Sequence, residues 1–501
     1  MKLEELFKEI SYEIVNGGDD KGVSAMQTEV KELVNDSRKL QEGCLFLCIR
    51  GSNFDGHTKA FEAFARKAAA IVVEEEVEIP KNTQTVVIRV KDTRYAMAFI
   101  AAAFYSHPAK ELTTIGITGT KGKTTTTYLV KNMLENAGIK TGLIGTIEMI
   151  VGEEHFPASN TTPESLSLQK DFRRMADAGM KAVVMEVSSQ ALMMHRTQGF
   201  LFDMGIFTNI EPDHIGPNEH KDFAEYMHCK GLLFQQCKHG IVNADDEHLP
   251  QILEGHTCDL TTFGLGDGAD LKAEALAYMH KPGELGVYFD TKGIVNMHAE
   301  IAMPGKFSVY NALCAIAVAH RMGCRVEEME EALKKVRVRG RIEMVKVSDD
   351  YTLMIDYAHN AMALHSLLTT LRYYRPNRLI CLFGCGGNRS RERRFEMGEV
   401  SGKLADLTII TSDNPRFEDP MEIIRDIETG IQKTDGHYVE IPDRKEAIRY
   451  AMAQGERGDI IILAVKGHED YQEIRGVKYP MDERVLIHEI LQENQQAQQK
   501  Q

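Results

Sequence analysis

The segment GITGTKGKTT, residues 116–125, lies between a predicted strand and a predicted helix and restricts the fold more than any other feature. The strand is rich in β-branched residues and ends at Thr118. Glycines let backbone N–H groups approach phosphate oxygens, and the N-terminus of a helix favours an anion. The segment therefore predicts a phosphate-binding loop in an α/β domain. The apolar face of the following helix consists of Leu129, Val130, Met133, Leu134 and Ala137, with Gly138 as its C-terminal cap.

The side chains of this loop suggest how a nucleotide would be held. Lys123 would neutralise the β- and γ-phosphates, and the hydroxyl of Thr124 would bind Mg²⁺. The spacing differs from the general nucleotide loop, since Ile117 stands where that pattern has its first glycine. The loop residues predicted to contact ATP are Gly119, Thr120, Gly122, Lys123, Thr124 and Thr125.

Length and charge exclude several classes of protein. A chain of 501 residues is too long for one hydrophobic core, and its net charge of −15 argues against nucleic-acid binding. No apolar run approaches the ~18 residues that span a bilayer, so no membrane association is expected. Residues 1–18 predict an amphipathic helix without a cleavage site, which favours a cytoplasmic location. The nine cysteines lack metal-binding spacing and are expected to be reduced core thiols.

Alternating strand and helix patterns predict an α/β chain of three domains. Residues 1–110 form a mixed α/β segment, and residues 111–338 alternate as in a largely parallel sheet, with antiparallel strands at about 270–303. Residues 339–501 alternate again, which predicts a second, Rossmann-like sheet.

Motifs along nearly the whole chain resemble those of the Mur ligase family, and of its MurE type in particular. The form GxTGTxGKT is common to Mur ligases and folylpolyglutamate synthases, but the latter lack the N-terminal uridine-binding domain. The motifs that carry the resemblance are NDSRKLQEGCLFLCIRGSNFDGH, SNTTPE, MEVSSQALMMHR, FTNIEPDHIG, VRGRIE, DYAHN, GCGGNR, DNPRFEDP and KGHEDYQ.

The resemblance implies an ATP-dependent amide ligase of peptidoglycan synthesis. Such an enzyme adds meso-2,6-diaminopimelate to UDP-N-acetylmuramoyl-L-alanyl-D-glutamate through an acyl phosphate, with Mg²⁺, and is expected to be a monomer. Two alternatives remain open. The same chemistry could add L-lysine or another amino acid, or the chain could be a non-catalytic nucleotide-binding or scaffold protein.

Four residues are predicted to be catalytic: Lys123, Glu186, His214 and Lys230. Glu186 ends a buried strand, where a carboxylate can reach a metal beside the phosphate loop, and His214 follows the next strand. By resemblance Lys230 is carbamylated. The predicted metal ligands are Thr124, Glu186, His214 and the Lys230 carbamate, whereas His220 and His228 are expected on a solvated face.

Further binding residues follow from the resemblance. Asn311, Arg341 and Asp356 would contact ATP; Ser308 replaces a second asparagine, and DYAHN makes His359 a weaker candidate. The residues implied for the UDP-linked dipeptide are Ser37, Ser52, Asn53, Asn160, Thr161, Thr162, Ser188 and Arg196.

The motif DNPR indicates which amino acid such a ligase would add. Diaminopimelate has a far carboxylate that lysine lacks, and an arginine can clamp a carboxylate with two hydrogen bonds. In the family DNPR accompanies diaminopimelate. Val465 stands where relatives usually have the first glycine of GKGHE, and DHIGPNEH is similar to some lysine-adding relatives. The residues implied for this site are Arg389, Asp413, Asn414, Arg416, Val465 and Glu469.

Overall fold

The computed structural model describes residues 1–16, 24–51, 54–216, 219–281 and 283–499. The chain forms two compact units. The first contains Met1–Lys272 and Cys314–Arg325, and the second contains Ala273–Leu313 and Val326–Gln501. The predicted N-terminal segment and most of the predicted central segment therefore belong to one unit.

The first unit begins with a small sheet whose strands are buried on both faces. Along β3 the side chains alternate, with Leu45 and Leu47 in one core and Phe46 in another. The order is β1-β5-β4-β3-β2, and all pairs are parallel except β1 with β5. The elements are α1 (Leu3–Leu6), β1 (Glu13–Ile14), β2 (Glu32–Val34), β3 (Cys44–Leu47), α2 (Ala60–Ala65), β4 (Ala70–Val73), β5 (Val86–Arg89) and α3 (Thr93–Phe104).

The long amphipathic helix predicted for residues 1–18 is wrong. Helix α1 ends at Leu6, and β1 pairs antiparallel with β5. The side chain of Asn16 accepts from the backbone N of Val87 and donates to the carbonyl of Thr85. Sheet pairing with residues about 70 positions away thus overrides the local helical pattern.

A second sheet of this unit places the phosphate loop at its centre. The strand order is β13-β12-β11-β6-β10-β7-β8-β9, and the strands from β13 to β7 are parallel. The carboxyl end of a central parallel strand is where open α/β sheets bind ligands. The elements are β6 (Thr113–Thr118), α4 (Lys123–Asn136), β7 (Thr141–Ile144), β8 (Glu148–Val151), β9 (Glu154–Pro157), α5 (Ser165–Asp177), β10 (Ala182–Glu186), α6 (Ser189–Met193), β11 (Phe202–Phe207), α7 (Phe223–Gly231), β12 (Cys237–Asn243), α8 (Leu249–Ile252) and β13 (Asp259–Gly264).

The buried face of helix α4 agrees with the apolar face predicted from its sequence. Leu129, Val130, Met133 and Leu134 are buried. Gly138 follows the helix with φ of +79°, the left-handed conformation expected of a glycine cap.

The second unit contains the predicted Rossmann-like sheet. Its order is β17-β18-β22-β19-β20-β21, and only β17 runs antiparallel to its neighbour. Along β22, Ile460 and Ile462 face one core whereas Ile461 and Leu463 face the other, so both faces are covered. Strands β15 (Glu284–Gly293) and β16 (Met297–Ile301) pair antiparallel, as predicted for residues 270–303, whereas β14 (Leu271–Lys281) pairs parallel with β13.

The elements after β13 complete the chain, and β14 and α9 have residues in both units. They are β14 (Leu271–Lys281), β15 (Glu284–Gly293), β16 (Met297–Ile301), α9 (Lys306–Arg321), α10 (Val326–Lys335), β17 (Glu343–Val345), β18 (Thr352–Ile355), α11 (Ala361–Arg372), β19 (Leu379–Phe383), α12 (Glu392–Leu404), β20 (Leu407–Ile410), α13 (Pro420–Ile431), β21 (Tyr438–Glu440), α14 (Arg444–Gln454), β22 (Ile460–Leu463), β23 (Tyr471–Ile474), β24 (Val477–Pro480) and α15 (Glu483–Gln499).

Two expectations drawn from composition can be compared with the structure. All nine cysteines are free thiols, and all but the half-buried Cys324 are buried, as predicted. Among the described residues, none of the helices combines the length and the apolar character needed to cross a membrane.

Candidate active site

The loop between β6 and α4 has a backbone that requires glycine at two positions. Gly119 has φ of +146°, and a Cβ there would lie 2.0 Å from Oγ1 of Thr208. Gly122 has φ of +85°. The close approach to Thr208 is made by hydrogen bonding, since Oγ1 of Thr208 donates to the carbonyl of Lys121 at 2.8 Å. The loop is therefore fixed against the end of β11.

The ammonium of Lys123 lies over this loop. Its Nζ donates to the carbonyls of Gly119 at 2.8 Å and Thr120 at 3.1 Å. Lys123 is also the first residue of α4, so its charge is next to the N-terminus of that helix. Both the ammonium and the helix N-terminus favour an anion at this place. Thr124 and Thr125, which follow, are buried.

Glu186 ends β10 and joins the loop to a neighbouring turn. Its side chain is buried, and Oε2 accepts from Oγ1 of Thr124 at 3.0 Å and from Oγ1 of Thr146 at 3.1 Å. Its Oε1 accepts from the backbone N of Thr146 at 2.8 Å. The carboxylate and hydroxyl oxygens of Glu186 and Thr124 are the hard donors that Mg²⁺ prefers, so this pair fits the predicted ion. Thr146 was not predicted from the sequence.

The predicted metal ligand His214 lies in a more open environment. Its side chain is 55% exposed, its φ is +54°, and Nδ1 is 3.1 Å from Oε1 of Glu219. In the part of the chain that the structure describes, no three His, Cys, Asp or Glu side chains converge as a metal site. Protein-bound Mg²⁺ typically has few protein ligands and keeps water and phosphate oxygens.

The solvated position predicted for His220 is wrong, whereas His228 is exposed as predicted. His220 is 2% exposed, and Nε2 lies 2.8 Å from Oγ of Ser189. Ile215 and His220 form an isolated β-bridge, and the imidazole of His220 packs on the ring of Tyr226. Burial lowers the pKa of His220, so the imidazole is neutral near pH 7.

Lys230 projects from α7 into the same loop. The side chain is 1% exposed, and Nζ donates to the carbonyl of Gly119 at 2.8 Å. Two lysines, Lys123 and Lys230, thus share one acceptor. Burial, followed by the positive charge of Lys123, holds the pKa of Lys230 well below its usual value, which favours a neutral amine. The ring of Tyr226 covers Nζ at 4.4 Å, and its hydroxyl is 3.1 Å from Oγ1 of Thr120.

The segment around Thr162 is bound to the end of β10. Thr162 is fully buried; its Oγ1 donates to the carbonyl of Glu186 at 2.9 Å and accepts from the backbone N of Ser188 at 3.0 Å. Arg196 donates from Nη1 to the carbonyl of Thr162 at 3.0 Å. Oγ1 of Thr161 lies 3.1 Å from Oγ1 of Thr146. Four predicted dipeptide-binding residues and the predicted metal ligand Glu186 are thereby brought together.

The remaining predicted substrate residues of the first unit are more open. Asn160 is exposed, and Ser37 is half-buried at the start of a short 3₁₀ helix. Ser52 and Asn53 lie outside the described residues.

Three predicted ATP contacts belong to the second unit. Asn311 is buried on α9, and one turn earlier Ser308 donates to the carbonyl of Pro304 at 2.7 Å. Asp356 accepts from the backbone N of Ile342 and of Ala358, each at 2.8 Å, and burial raises its pKa even though Arg341 is nearby. The guanidinium of Arg341 stacks on the ring of Tyr357 at 4.8 Å. Arg341 and Asp356, both predicted to contact ATP, therefore lie close together.

The buried side chain of Lys466 contacts several residues of the predicted amino-acid site. Lys466 is 0% exposed; its Nζ donates to Oδ1 of Asn414 at 2.8 Å and Oε2 of Glu469 at 3.0 Å, and lies 3.4 Å from Oδ1 of Asp413. Nδ2 of Asn414 also donates to Oε2 of Glu469 at 2.8 Å. Lys466 was not among the residues predicted from the sequence, although it begins the motif KGHEDYQ.

Arg416 directs its side chain at the loop that carries GCGGNR. Nη1 donates to the carbonyl of Gly387 at 2.7 Å, and Nε donates to Oε2 of Glu473 at 3.1 Å. Its φ of +51° is uncommon for a residue with a Cβ. Arg389 of the same loop is exposed.

Val465 has the backbone of a glycine. Its φ is +85°, and its side chain is 7% exposed within the core of the second unit. A β-branched residue in this region is a conformational outlier. The backbone expected of the usual glycine is kept, and the added side chain packs into the core.

Comparison with known proteins matches three segments of the chain to domains of one family. The Mur ligase family, catalytic domain, matches residues 29–105; the Mur ligase middle domain matches 117–319; and the Mur ligase, glutamate ligase domain, matches 340–467. The chain belongs to the Mur ligase family. The three matches confirm the predicted three-domain α/β architecture of a Mur ligase.

Curated Mur ligases are similar over their full length. The UDP-N-acetylmuramoyl-L-alanyl-D-glutamate--2,6-diaminopimelate ligase of Caldanaerobacter subterraneus subsp. tengcongensis is 42% identical over 499 residues, which cover 99% of this chain and 100% of that protein. A ligase of the same description from Clostridium acetobutylicum is 41% identical, with coverage of 98% and 100%. A solved structure of a 2,6-diaminopimelate ligase superposes with a TM-score of 0.72 at 26% identity, covering 99% of both chains.

Proposed function

We propose that this chain is an ATP-dependent ligase that joins meso-2,6-diaminopimelate to UDP-N-acetylmuramoyl-L-alanyl-D-glutamate. The observation that carries the proposal is the presence of Asn414, which contacts Lys466 and Glu469, and of Arg416, which donates to the carbonyl of Gly387. They occur in a chain that is similar to curated diaminopimelate ligases over its whole length. We also propose that the enzyme is cytoplasmic and monomeric.

The phosphate loop of the first unit would bind the β- and γ-phosphates of ATP. When phosphate oxygens enter, Lys123 exchanges two neutral carbonyl partners for charged ones, which makes stronger hydrogen bonds. Thr124 and Glu186 would hold Mg²⁺, with His214 as a further ligand. The ion, when bound, neutralises charge on the phosphates during transfer. Glu186 needs no repositioning for this role, because Thr124 and Thr146 already orient its carboxylate.

The reaction joins a carboxylate to an amine in two balanced steps. A carboxylate oxygen of the UDP-linked dipeptide attacks the γ-phosphorus of ATP, and ADP leaves. The amine of the incoming amino acid then attacks the acyl carbon; phosphate leaves, and the amine loses a proton. Both steps place negative charge near the loop, so Lys123 is well positioned to stabilise them.

Lys230 suits modification by CO₂. Only a neutral amine attacks CO₂, and the lowered pKa of Lys230 favours that form. A carbamate there would place an anion beside Gly119 and leave Lys123 as the lysine that donates to that carbonyl. We therefore include a Lys230 carbamate, acting as a further Mg²⁺ ligand, in the proposal.

The UDP-linked dipeptide would lie along the loops that follow β10 and precede α5. Thr161, Thr162, Ser188 and Arg196 offer hydroxyl and guanidinium donors from a framework joined to Glu186. With the dipeptide in this position, its reacting carboxylate would lie next to the phosphate loop. Ser37, Ser52, Asn53 and Asn160 complete the assignment made from the sequence.

A ligase assay across a panel of amino acids tests the function. With ATP, Mg²⁺ and UDP-N-acetylmuramoyl-L-alanyl-D-glutamate, we expect phosphate release that depends on meso-diaminopimelate and on the UDP-linked dipeptide. A preference for L-lysine would reject the amino-acid assignment alone. No phosphate release with any amino acid would reject ligase activity and favour a non-catalytic nucleotide-binding protein.

Replacing Arg416 with alanine should raise the KM for meso-diaminopimelate roughly 10- to 150-fold, the range for a lost charged hydrogen bond of about 1.5–3 kcal/mol. The far carboxylate would lose its partner, while the phosphate loop is unaltered. Use of lysine should rise little, because removing a cation does not build a lysine site. Steady-state kinetics with both amino acids measure this.

The matched control is Arg457→Ala, which removes an exposed arginine of the same unit. It should leave both KM values unchanged. An Arg416→Ala enzyme with native diaminopimelate kinetics would contradict the assignment, and Val465, with its unusual backbone, would then be the next residue to test.

A further inference from the structure

The first turn of α3 contacts the loops assigned to the UDP-linked dipeptide. Arg94, in that turn, donates from Nη1 to Oε2 of Glu164 at 3.2 Å. Arg196 approaches the other oxygen of the same carboxylate, with Nη2 2.8 Å from Oε1. Glu164 therefore joins a guanidinium from the N-terminal segment to one from the central segment. Arg196 was predicted from the sequence as a binding residue, whereas Arg94 and Glu164 were not.

The position of Glu164 shows that its side chain serves this bridge. Glu164 is the N-cap residue of α5, yet its side chain makes no capping hydrogen bond. An acidic side chain at a helix N-terminus would ordinarily turn toward the free backbone N–H groups. Here both carboxylate oxygens face guanidinium groups instead. The side chains of Arg94, Glu164 and Arg196 are 20%, 27% and 17% exposed, so the bridge is only partly screened by water.

Arg94 also contacts the segment assigned to the uridine diphosphate. Its Nη2 donates to the carbonyl of Arg50 at 3.1 Å. Arg50 directly precedes the motif GSNFDGH. One guanidinium thus contacts two loops that would hold opposite ends of one substrate. A cation in the first turn of a helix is disfavoured by the helix dipole, so these contacts offset a local cost.

Neighbouring contacts keep α3 in this place. Nε2 of His195 lies 3.6 Å from Oδ2 of Asp92, and the rings of Tyr95 and His195 are 5.5 Å apart. A Cβ at Gly199 would lie 2.6 Å from the carbonyl of Ala98, so the backbone there packs directly on α3. These contacts fix the N-terminal part of α3 against the segment that carries Arg196.

We propose that Arg94 is a positioning residue for the UDP-linked dipeptide, acting through Glu164 to orient Arg196. The inference rests on the proposed function. The three side chains have two positive charges and one negative charge, and the surplus positive charge favours an anionic group of the substrate. The ion pair with Arg94 orients Glu164, and the ion pair with Glu164 orients the guanidinium of Arg196. The Arg196 guanidinium is therefore preorganised to bind that anion.

Arg94→Ala should raise the KM for the UDP-linked dipeptide about tenfold to a hundredfold. This is the range expected if Arg196, no longer oriented through Glu164, loses one charged hydrogen bond to the substrate. The kcat and the KM for ATP should stay within about twofold, since the phosphate loop is not touched. Isothermal titration of the UDP-linked dipeptide should show the same loss without catalysis. Arg94→Lys keeps the charge but lacks the fork, and should recover only part of the affinity.

A double-mutant cycle separates positioning from direct contact. If Arg94 acts through Glu164, Arg94→Ala combined with Glu164→Gln should raise the KM no further than the more harmful single change. Additive effects would overturn the pathway through Glu164. An unchanged KM in both Arg94 variants would overturn the inference entirely.

The matched control is Arg66→Ala, an exposed arginine of the same segment, which should leave every constant unchanged. A parallel fall in kcat and in the melting temperature of both Arg94 variants, with an unchanged KM, would indicate a structural role and also overturn the inference. Failure of the native enzyme to bind the UDP-linked dipeptide would instead reject the proposed function, so the two failures are distinguishable.

Discussion

Replacing Lys123 with alanine should lower kcat roughly 100- to 1000-fold in a protein that stays folded, the range for losing one preorganised group that stabilises transition-state charge. The ammonium of Lys123 donates to two loop carbonyls, those of Gly119 and Thr120. It thus lies where the transferred phosphate would come. The effect should appear in kcat more than in the KM for diaminopimelate, because the amino acid is assigned to the other unit.

Single-turnover formation of ADP, with circular dichroism as the folding check, measures this effect. Lys140→Ala, an exposed lysine beyond the opposite end of α4, is the matched control and should retain native activity. Lys123→Arg keeps the charge but not the shape, and should recover little. A folded Lys123→Ala enzyme with near-native turnover would remove Lys123 from the catalytic machinery.

Lys230→Ala should be nearly inactive, with a loss of at least about 100-fold, comparable to the loss of a key electrostatic group. If Lys230 is a carbamate, the variant lacks an anion that would help to hold Mg²⁺, and short carboxylates such as formate or acetate should restore part of the activity. Depleting CO₂ should slow the native enzyme reversibly. Turnover across added carboxylate concentrations, and incorporation of isotopically labelled bicarbonate into the native protein, measure the two effects.

The structure suggests a competing explanation, in which Lys230 only anchors the loop through the carbonyl of Gly119. In that case Lys230→Ala would lower the melting temperature, carboxylates would not help, and labelled bicarbonate would not be incorporated. Lys238→Ala, an exposed lysine eight residues later, is the matched control. Full activity of Lys230→Ala would contradict both explanations.

Residues that act within a short motif were predictable from the sequence. The GITGTKGKTT loop, the buried face of α4 and the cap at Gly138 depend on local spacing, and the structure has them where the pattern predicts. Asn414 and Glu469, which hydrogen-bond although 55 positions separate them, are also assigned to one site from the sequence. That prediction came from the resemblance to a family and not from spacing.

Residues whose role depends on burial were harder to predict. His220 resembles a surface histidine in sequence but is buried against Ser189, 31 positions away. Residues 1–18 have a helical pattern, yet Glu13 and Ile14 pair with β5. In both cases a long-range contact outweighed a local preference, because burial and sheet pairing stabilise more than intrinsic propensity does.

The α/β class, the phosphate loop and the chemical identity of the groups in each proposed site follow from the amino-acid sequence alone. Which groups share partners depends on the folded chain: Lys123 and Lys230 share the carbonyl of Gly119, and Arg94 and Arg196 share Glu164. The physical reason is that hydrogen bonds and ion pairs act over about 3–4 Å. Which side chains come within that range depends on where strands end and how helices pack, and those positions are set by the whole core and not by any one segment.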